Sequence, residues 1–158
     1  MTDCNCKKNL VLDIVCDAEK YEPKYANETD ACMDIKAKLN EGEPLYIKPG
    51  ETKIINTGLK VKIPEGHIMR MYVRSSVGIK KKCFLANGTG IIDAGYRDEI
   101  MVALTNHSND TTAKFEDGDR IAQFEISAIP HITTHLVCDD EEFRSGDRGG
   151  GIGSTGSK

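Results

Sequence analysis

Apolar and polar residues alternate with a period of two along most of this chain. The pattern is clearest in Leu10-Val11-Leu12-Asp13-Ile14-Val15, Lys53-Ile54-Ile55-Asn56, Leu59-Lys60-Val61-Lys62-Ile63 and His67-Ile68-Met69-Arg70-Met71-Tyr72-Val73. A period of two puts every second side chain on one face, so each run predicts a half-buried strand. Further runs at 90–92, 99–104, 120–126 and 132–137 continue the pattern. Pro49-Gly50, Pro64-Glu65-Gly66, Asn87-Gly88 and Asp117-Gly118 supply turn chemistry between them. Many short strands with regular turns predict an all-β sandwich or barrel. Helix is expected only after Ser76, for a turn or two.

A chain of 158 residues fits one domain with a real core. The β pattern covers 1–143, which we read as that domain, and 144–158 as a separate Gly-rich tail. From Ser145 to Lys158 six residues are Gly and only Ile152 is a large apolar residue, so the tail alone cannot offset its ordering entropy. Such a segment can serve as a flap, because Gly lets successive N–H groups face an anion and Arg148 adds charge-assisted bonds. Gly151-Ile152-Gly153-Ser154-Thr155-Gly156 formally matches a dinucleotide fingerprint, but that motif needs a strand before it and a helix after it, so a Rossmann reading is set aside.

Charge and cysteine narrow the function classes. The formal net charge is −4, so there is no overall basic field of the kind that drives binding to polymeric nucleic acid. A small polyphosphate is compatible with this balance, since a few Arg and one divalent cation neutralise it locally. No apolar run approaches the roughly 20 residues of a membrane helix, and the first residues lack the order of a signal peptide, so no membrane and an intracellular location are expected. The six cysteines (Cys4, Cys6, Cys16, Cys32, Cys83, Cys138) are scattered in a chain large enough to fold without staples, and are read as reduced thiols.

Two segments carry candidate chemistry. Arg74-Ser75-Ser76-Val77-Gly78 stands where a strand gives way to a turn, and offers a guanidinium fork, two hydroxyls and unpaired amides, a set suited to polyphosphate. Gly90-Ile91-Ile92-Asp93 ends an apolar strand on an acid that could orient water, with Tyr96 three residues on.

In order and spacing, five segments resemble the trimeric dUTPase family: Ala31 to Ile35, Arg74-Ser75-Ser76, Gly90 to Ile100, Gly118 to Gln123, and Arg148-Gly149 with Gly153-Ser154-Thr155-Gly156. The resemblance implies a jelly-roll-like β-barrel, a homotrimer with active sites between subunits, and Mg²⁺-dependent hydrolysis of dUTP to dUMP and pyrophosphate. By the same resemblance Asp93 aligns the water that attacks the α-phosphorus, and Tyr96 packs under the deoxyribose. Asn87 matches a polar group at the uracil edge, with backbone near Gly90 completing the base contacts. Arg74, Ser75, Ser76 and Gln123 resemble phosphate ligands, Asp34 the acid near the metal's water shell, and Arg148, Gly153, Ser154 and Thr155 the closing tail. The family's tail usually carries an aromatic residue where Ile152 stands, and is one residue longer.

Two rivals are weaker. The related dCTP deaminases use a Glu ten residues after the acid matching Asp93, and here that position is Ala103. The other rival is a dUTPase-fold regulatory or protein-binding module, for which Lys80-Lys81-Lys82 would be a patch for an acidic partner. The presence of Asp93, Tyr96 and Gln123 favours the enzyme.

Overall fold

The computed structural model describes residues 10–138 and 143–144. Within them eleven strands run in order β1 Asp13–Cys16, β2 Met33–Lys36, β3 Leu45–Ile47, β4 Thr52–Asn56, β5 Leu59–Lys62, β6 His67–Val73, β7 Cys83–Leu85, β8 Gly90–Asp93, β9 Met101–Asn106, β10 Ala113–Phe115 and β11 Arg120–Ala128. One 3₁₀ turn, Glu19–Tyr21, precedes β2, and one short helix, α1 Ser75–Lys80, follows β6. The strands form a four-stranded sheet in the order β2-β11-β6-β8, a three-stranded sheet β4-β9-β7, and the pairs β1-β5 and β3-β10. All these pairings are antiparallel, as the alternation predicts for an all-β chain, and the architecture is the jelly-roll-like β-barrel that the resemblance implies.

Alternation along the strands sends one set of side chains inward. Met69 and Met71 from β6, Ile121 and Phe124 from β11, Val102 and Leu104 from β9, and Phe115 from β10 meet in one core, joined by Ile35, Ile47, Ile55 and Leu59. Asn106 is fully buried at the end of β9 and is satisfied there: its amide N–H groups donate to the Ile47 and Thr111 carbonyls, both at 2.8 Å, and its Oδ1 accepts the Ser108 amide. A second anchor is Asp117, whose Oδ1 accepts the Tyr21 hydroxyl at 2.7 Å and the Leu39 amide at 2.9 Å, while Lys20 pairs with its other oxygen. Burial raises the Asp117 pKa, but these donors outweigh it and hold the carboxyl below its ordinary value.

One predicted strand is absent. The run 132–137 joins no ladder, and Ile132 and Leu136 are 77% and 85% exposed. Among the described residues the last strand ends at Ala128, and the rest of the predicted tail, with Arg148, Gly153, Ser154 and Thr155, lies outside them. Among the described residues no helix is long and apolar enough to cross a membrane. Cys16, Cys32, Cys83 and Cys138 are free thiols, and Cys4 and Cys6 lie outside the described residues.

Candidate functional site

The sheet β2-β11-β6-β8 carries the candidate residues at its two ends. At one end β6 stops at Val73 and the chain turns into α1. The Arg74 carbonyl accepts the Val77 and Gly78 amides, which leaves the Ser75 and Ser76 amides outside the helical ladder and both serines exposed. Register brings the partners alongside: Gln123 of β11 faces Asp34 of β2 on one side and Tyr72 of β6 on the other. The Gln123 amide donates to the Val73 carbonyl at 3.3 Å, which holds the side chain next to Arg74.

Asp34 is 7% exposed and lies between two guanidinium groups. Arg74 Nε is 2.6 Å from its Oδ1, and Arg120 Nη1 is 3.0 Å from its Oδ2. A carboxylate engaged by a different arginine at each oxygen fixes both cations and keeps them from repelling each other. Arg74 Nη1 also reaches Ser76 Oγ at 3.4 Å. Arg120 has no assigned role in the sequence reading, because only folding brings it to Asp34, 86 positions away.

The second cluster runs along β8, from Gly90, opposite Met71 of β6, to Asp93, opposite Ile68 at the far end. Asn87, Gly90, Asp93 and Tyr96 line one pocket of about 230 Å³, together with Met71 and Met101. Gly90 is required by close approach, since a Cβ there would lie 2.6 Å from Met71 Cε and 3.0 Å from Met71 Cβ. Asp93 ends β8 with its carboxyl exposed, and its carbonyl accepts the Tyr96 amide at 3.0 Å to close a tight turn. The Tyr96 hydroxyl donates to the Glu99 carbonyl at 2.9 Å, so the ring is tied at both ends. Arg97 folds back, its Nη1 donating to the Ala94 and Tyr96 carbonyls.

Asp93 does not meet the Arg74 cluster within one chain. On β6 the Cα partner of Asp93 is Ile68, whereas Arg74 stands six positions further along the chain. At the rise of an extended strand that is about 20 Å. Of the Lys80-Lys81-Lys82 run, Lys81 covers the Phe115 ring at 4.1 Å and lies 3.5 Å from Asp119, while Lys80 and Lys82 are exposed.

Comparison with known proteins bears on both clusters at once. The dUTPase family model matches residues 18–156, which span both clusters. A deoxyuridine 5′-triphosphate nucleotidohydrolase of Histophilus somni (strain 2336) is 38% identical over 150 residues, covering 94% of this chain and 95% of its own. One from Anaeromyxobacter sp. (strain Fw109-5) is 37% identical over 134 residues, 85% of this chain and 86% of its own. Among solved structures, the dUTPase from phage phi11 of S. aureus superposes with a TM-score of 0.71 at 25% identity, over 85% of this chain and all of that one. A dUTPase of phage 80alpha gives 0.73 at 25% identity, over 90% and 98%. With a family match across both clusters and relatives aligned nearly end to end, this chain belongs to the dUTPase family.

Proposed function

We propose that the chain hydrolyses dUTP to dUMP and pyrophosphate, at sites completed by neighbouring copies. The observation that carries this reading is the pocket at the end of β8, where Asp93, Tyr96, Asn87 and Gly90 converge. Attack on an α-phosphorus needs a positioned water, a group to orient it and neutralisation of the leaving pyrophosphate. Asp93 is the exposed carboxylate placed for the first task. Tyr96 supports the deoxyribose and would crowd a 2′-hydroxyl; Asn87 and the backbone near Gly90 read the uracil edge. Arg74, Ser75, Ser76 and Gln123 bind the phosphates, with Arg74 held ready by Asp34.

A carboxylate must lie within hydrogen-bond reach of its water, so Asp93 cannot serve phosphates held by the Arg74 of the same chain about 20 Å away. A trimer resolves this, each site taking its pocket from one copy and its phosphate clamp from another. The strand-patterned, exposed segment 132–137 supports the same assembly, being apolar surface suited to a neighbour. Arg148, Gly153, Ser154 and Thr155 of the tail then close over the bound nucleotide.

A variant of the phage 80alpha dUTPase, 25% identical with a TM-score of 0.70, is known with dUpNHpp bound, and a variant of the phage phi11 enzyme coordinates a structural Mg(II) ion. Among the described residues no three His, Cys, Asp or Glu side chains are grouped to hold a metal. The donors fit an outer role instead. Each Asp34 oxygen has one lone pair beyond its arginine contact and can accept from a metal-bound water. Mg²⁺, which binds phosphates directly and keeps several waters, would enter with the triphosphate and neutralise its charge. A substrate of the nucleotide pool places the enzyme inside the cell.

The test is turnover of dUTP, dCTP, dTTP and UTP with separate detection of pyrophosphate and ammonia. Pyrophosphate from dUTP alone is expected. Ammonia from dCTP, or no turnover of any of the four, would defeat the reading.

A further inference from the structure

The loop that carries Tyr96 is fastened to a second turn, Thr57-Gly58 between β4 and β5, which takes no part in the site. Glu99 makes the connection. Its backbone carbonyl accepts the Tyr96 hydroxyl at 2.9 Å, and its carboxylate Oε1 accepts the Thr57 amide at 3.0 Å and the Gly58 amide at 2.7 Å. The next residue extends the seam: the Ile100 amide donates to the Leu59 carbonyl at 2.8 Å, and the Thr57 hydroxyl donates to the Ile100 carbonyl at 2.6 Å.

The turn at the other end of this seam is itself fixed. Thr57 is 1% exposed. Gly58 has φ +64°, and a Cβ there would lie 3.1 Å from Lys38 and 3.2 Å from the Tyr21 ring, so the turn is packed from behind. Without the Glu99 carboxylate, two amides of buried residues lose their acceptor, and the peptide carbonyl that receives the Tyr96 hydroxyl keeps only the Ile100 bonds as its tie to the barrel. Displacement of a substrate-positioning group by about 1 Å costs as much as a hundredfold in rate.

We propose that Glu99 is a positioning residue for sugar selection: by tying the Tyr96 loop to the Thr57-Gly58 turn it holds the ring at the depth that admits deoxyribose and rejects ribose. This rests on the reading that Tyr96 lies under the sugar. Glu99 touches no substrate and acts through the carbonyl that holds the ring.

The experiment compares kcat/KM for dUTP and UTP in the full-length chain. Glu99→Ala is expected to lower the dUTP-to-UTP ratio by about tenfold, while Glu99→Gln, which keeps an oxygen acceptor at the same place, retains most of it. A role confined to stability would lower the melting temperature of Glu99→Ala and leave the ratio intact, which overturns the proposal. Should Glu99→Ala not fold, Tyr96→Phe decides, because it removes only the hydroxyl that meets the Glu99 carbonyl: a fallen ratio supports the proposal and an unchanged one overturns it. Tyr96→Ala separates the two levels. A ratio unchanged there defeats the sugar role of the ring itself, whereas a ratio that falls in Tyr96→Ala but holds in both Glu99→Ala and Tyr96→Phe defeats only the positioning role.

Discussion

The two ends of β6 are organised by opposite means. At the Arg74 end, charge does the holding: one buried carboxylate engages two arginines, and the serines and Gln123 are arrayed around that triad. At the Asp93 end, the backbone does it: a tight turn and a tyrosine tied to a main-chain carbonyl hold a pocket that runs back along β8 to a glycine pressed against Met71, around an exposed acid. A clamp for a polyanion needs fixed positive charge before the ligand arrives, because ordering repelling cations afterwards would cost binding energy. On the proposed reading the Asp93 pocket takes a neutral base and a water, which calls for shape and for an acid left unpaired for the reaction. Chemistry should therefore be lost by a charge change at one end, and binding by a charge change at the other.

Asp93→Asn gives the largest effect. It keeps the size of the side chain and part of its hydrogen bonding while removing the charge that orients water, so kcat should fall by about a thousandfold with little change in the affinity for a non-hydrolysable dUTP analogue. Pyrophosphate release and calorimetric titration separate the two quantities. A matching loss of affinity would mean that this end also binds through charge.

Asp34→Asn tests the other end. Neutralising the buried carboxylate leaves a part-buried Arg74 and a half-exposed Arg120 facing each other, at a cost, discounted for solvent screening, of about 1 kcal/mol in stability. The KM for dUTP should rise more than kcat falls, since Arg74 loses its alignment. Urea denaturation and steady-state kinetics check both, and a kcat defect with unchanged KM would contradict the clamp.

How much of this contrast the sequence discloses follows the same division. Period two marks β6 residue for residue at His67–Val73, and Asp93 stands at the end of β8 as the alternation predicts. Three-residue strands such as Leu45–Ile47, Cys83–Leu85 and Ala113–Phe115 are too short to show a period, and only their ladder partners reveal them. Most of the backbone-built pocket is local, with Asn87 to Tyr96 in one stretch, and only Met71, Ile100 and Met101 join it from elsewhere. The charge-built clamp joins Asp34, Arg74 and Arg120 from three strand ends, and Arg120 shows its purpose only in the fold. Glu99 is hidden for another reason: an acid in a turn looks like a solvated residue until the Thr57 and Gly58 amides are seen facing it.

Gly90→Ala sharpens the contrast at the pocket without touching any charge. The new methyl would run into Met71, which is 3% exposed; its terminal methyl can swing aside, but its Cβ cannot. β8 must then shift from β6. A stability loss of about 2 kcal/mol is expected from overpacking, with a higher KM for dUTP because the pocket changes shape. If KM stays at the wild-type value while stability falls, the pocket is more tolerant of shape than the backbone argument allows.

The smallest effect is a control for charge lying outside the site. Asp117 anchors Tyr21, Lys20 and Leu39 on the barrel wall, and its pKa is held below the ordinary aspartate value by hydrogen bonds that overcome its burial. A depressed folded-state pKa means that ionised Asp117 stabilises the fold above its unfolded pKa of about 4, and that this contribution is lost as pH falls through the lower folded value. Asp117→Asn retains an oxygen for the Tyr21 hydroxyl and the Leu39 amide but loses the charge. Its denaturation midpoint should lie below the wild type at neutral pH, and the gap should close on acidification below about pH 4, with KM and kcat at neutral pH unchanged throughout. A gap that stays constant with pH would show that Asp117 contributes through shape and hydrogen bonding alone. A shifted KM would show that the charge of the barrel wall reaches the phosphate clamp, and the separation of the two ends of β6 from the rest of the charge pattern would then fail.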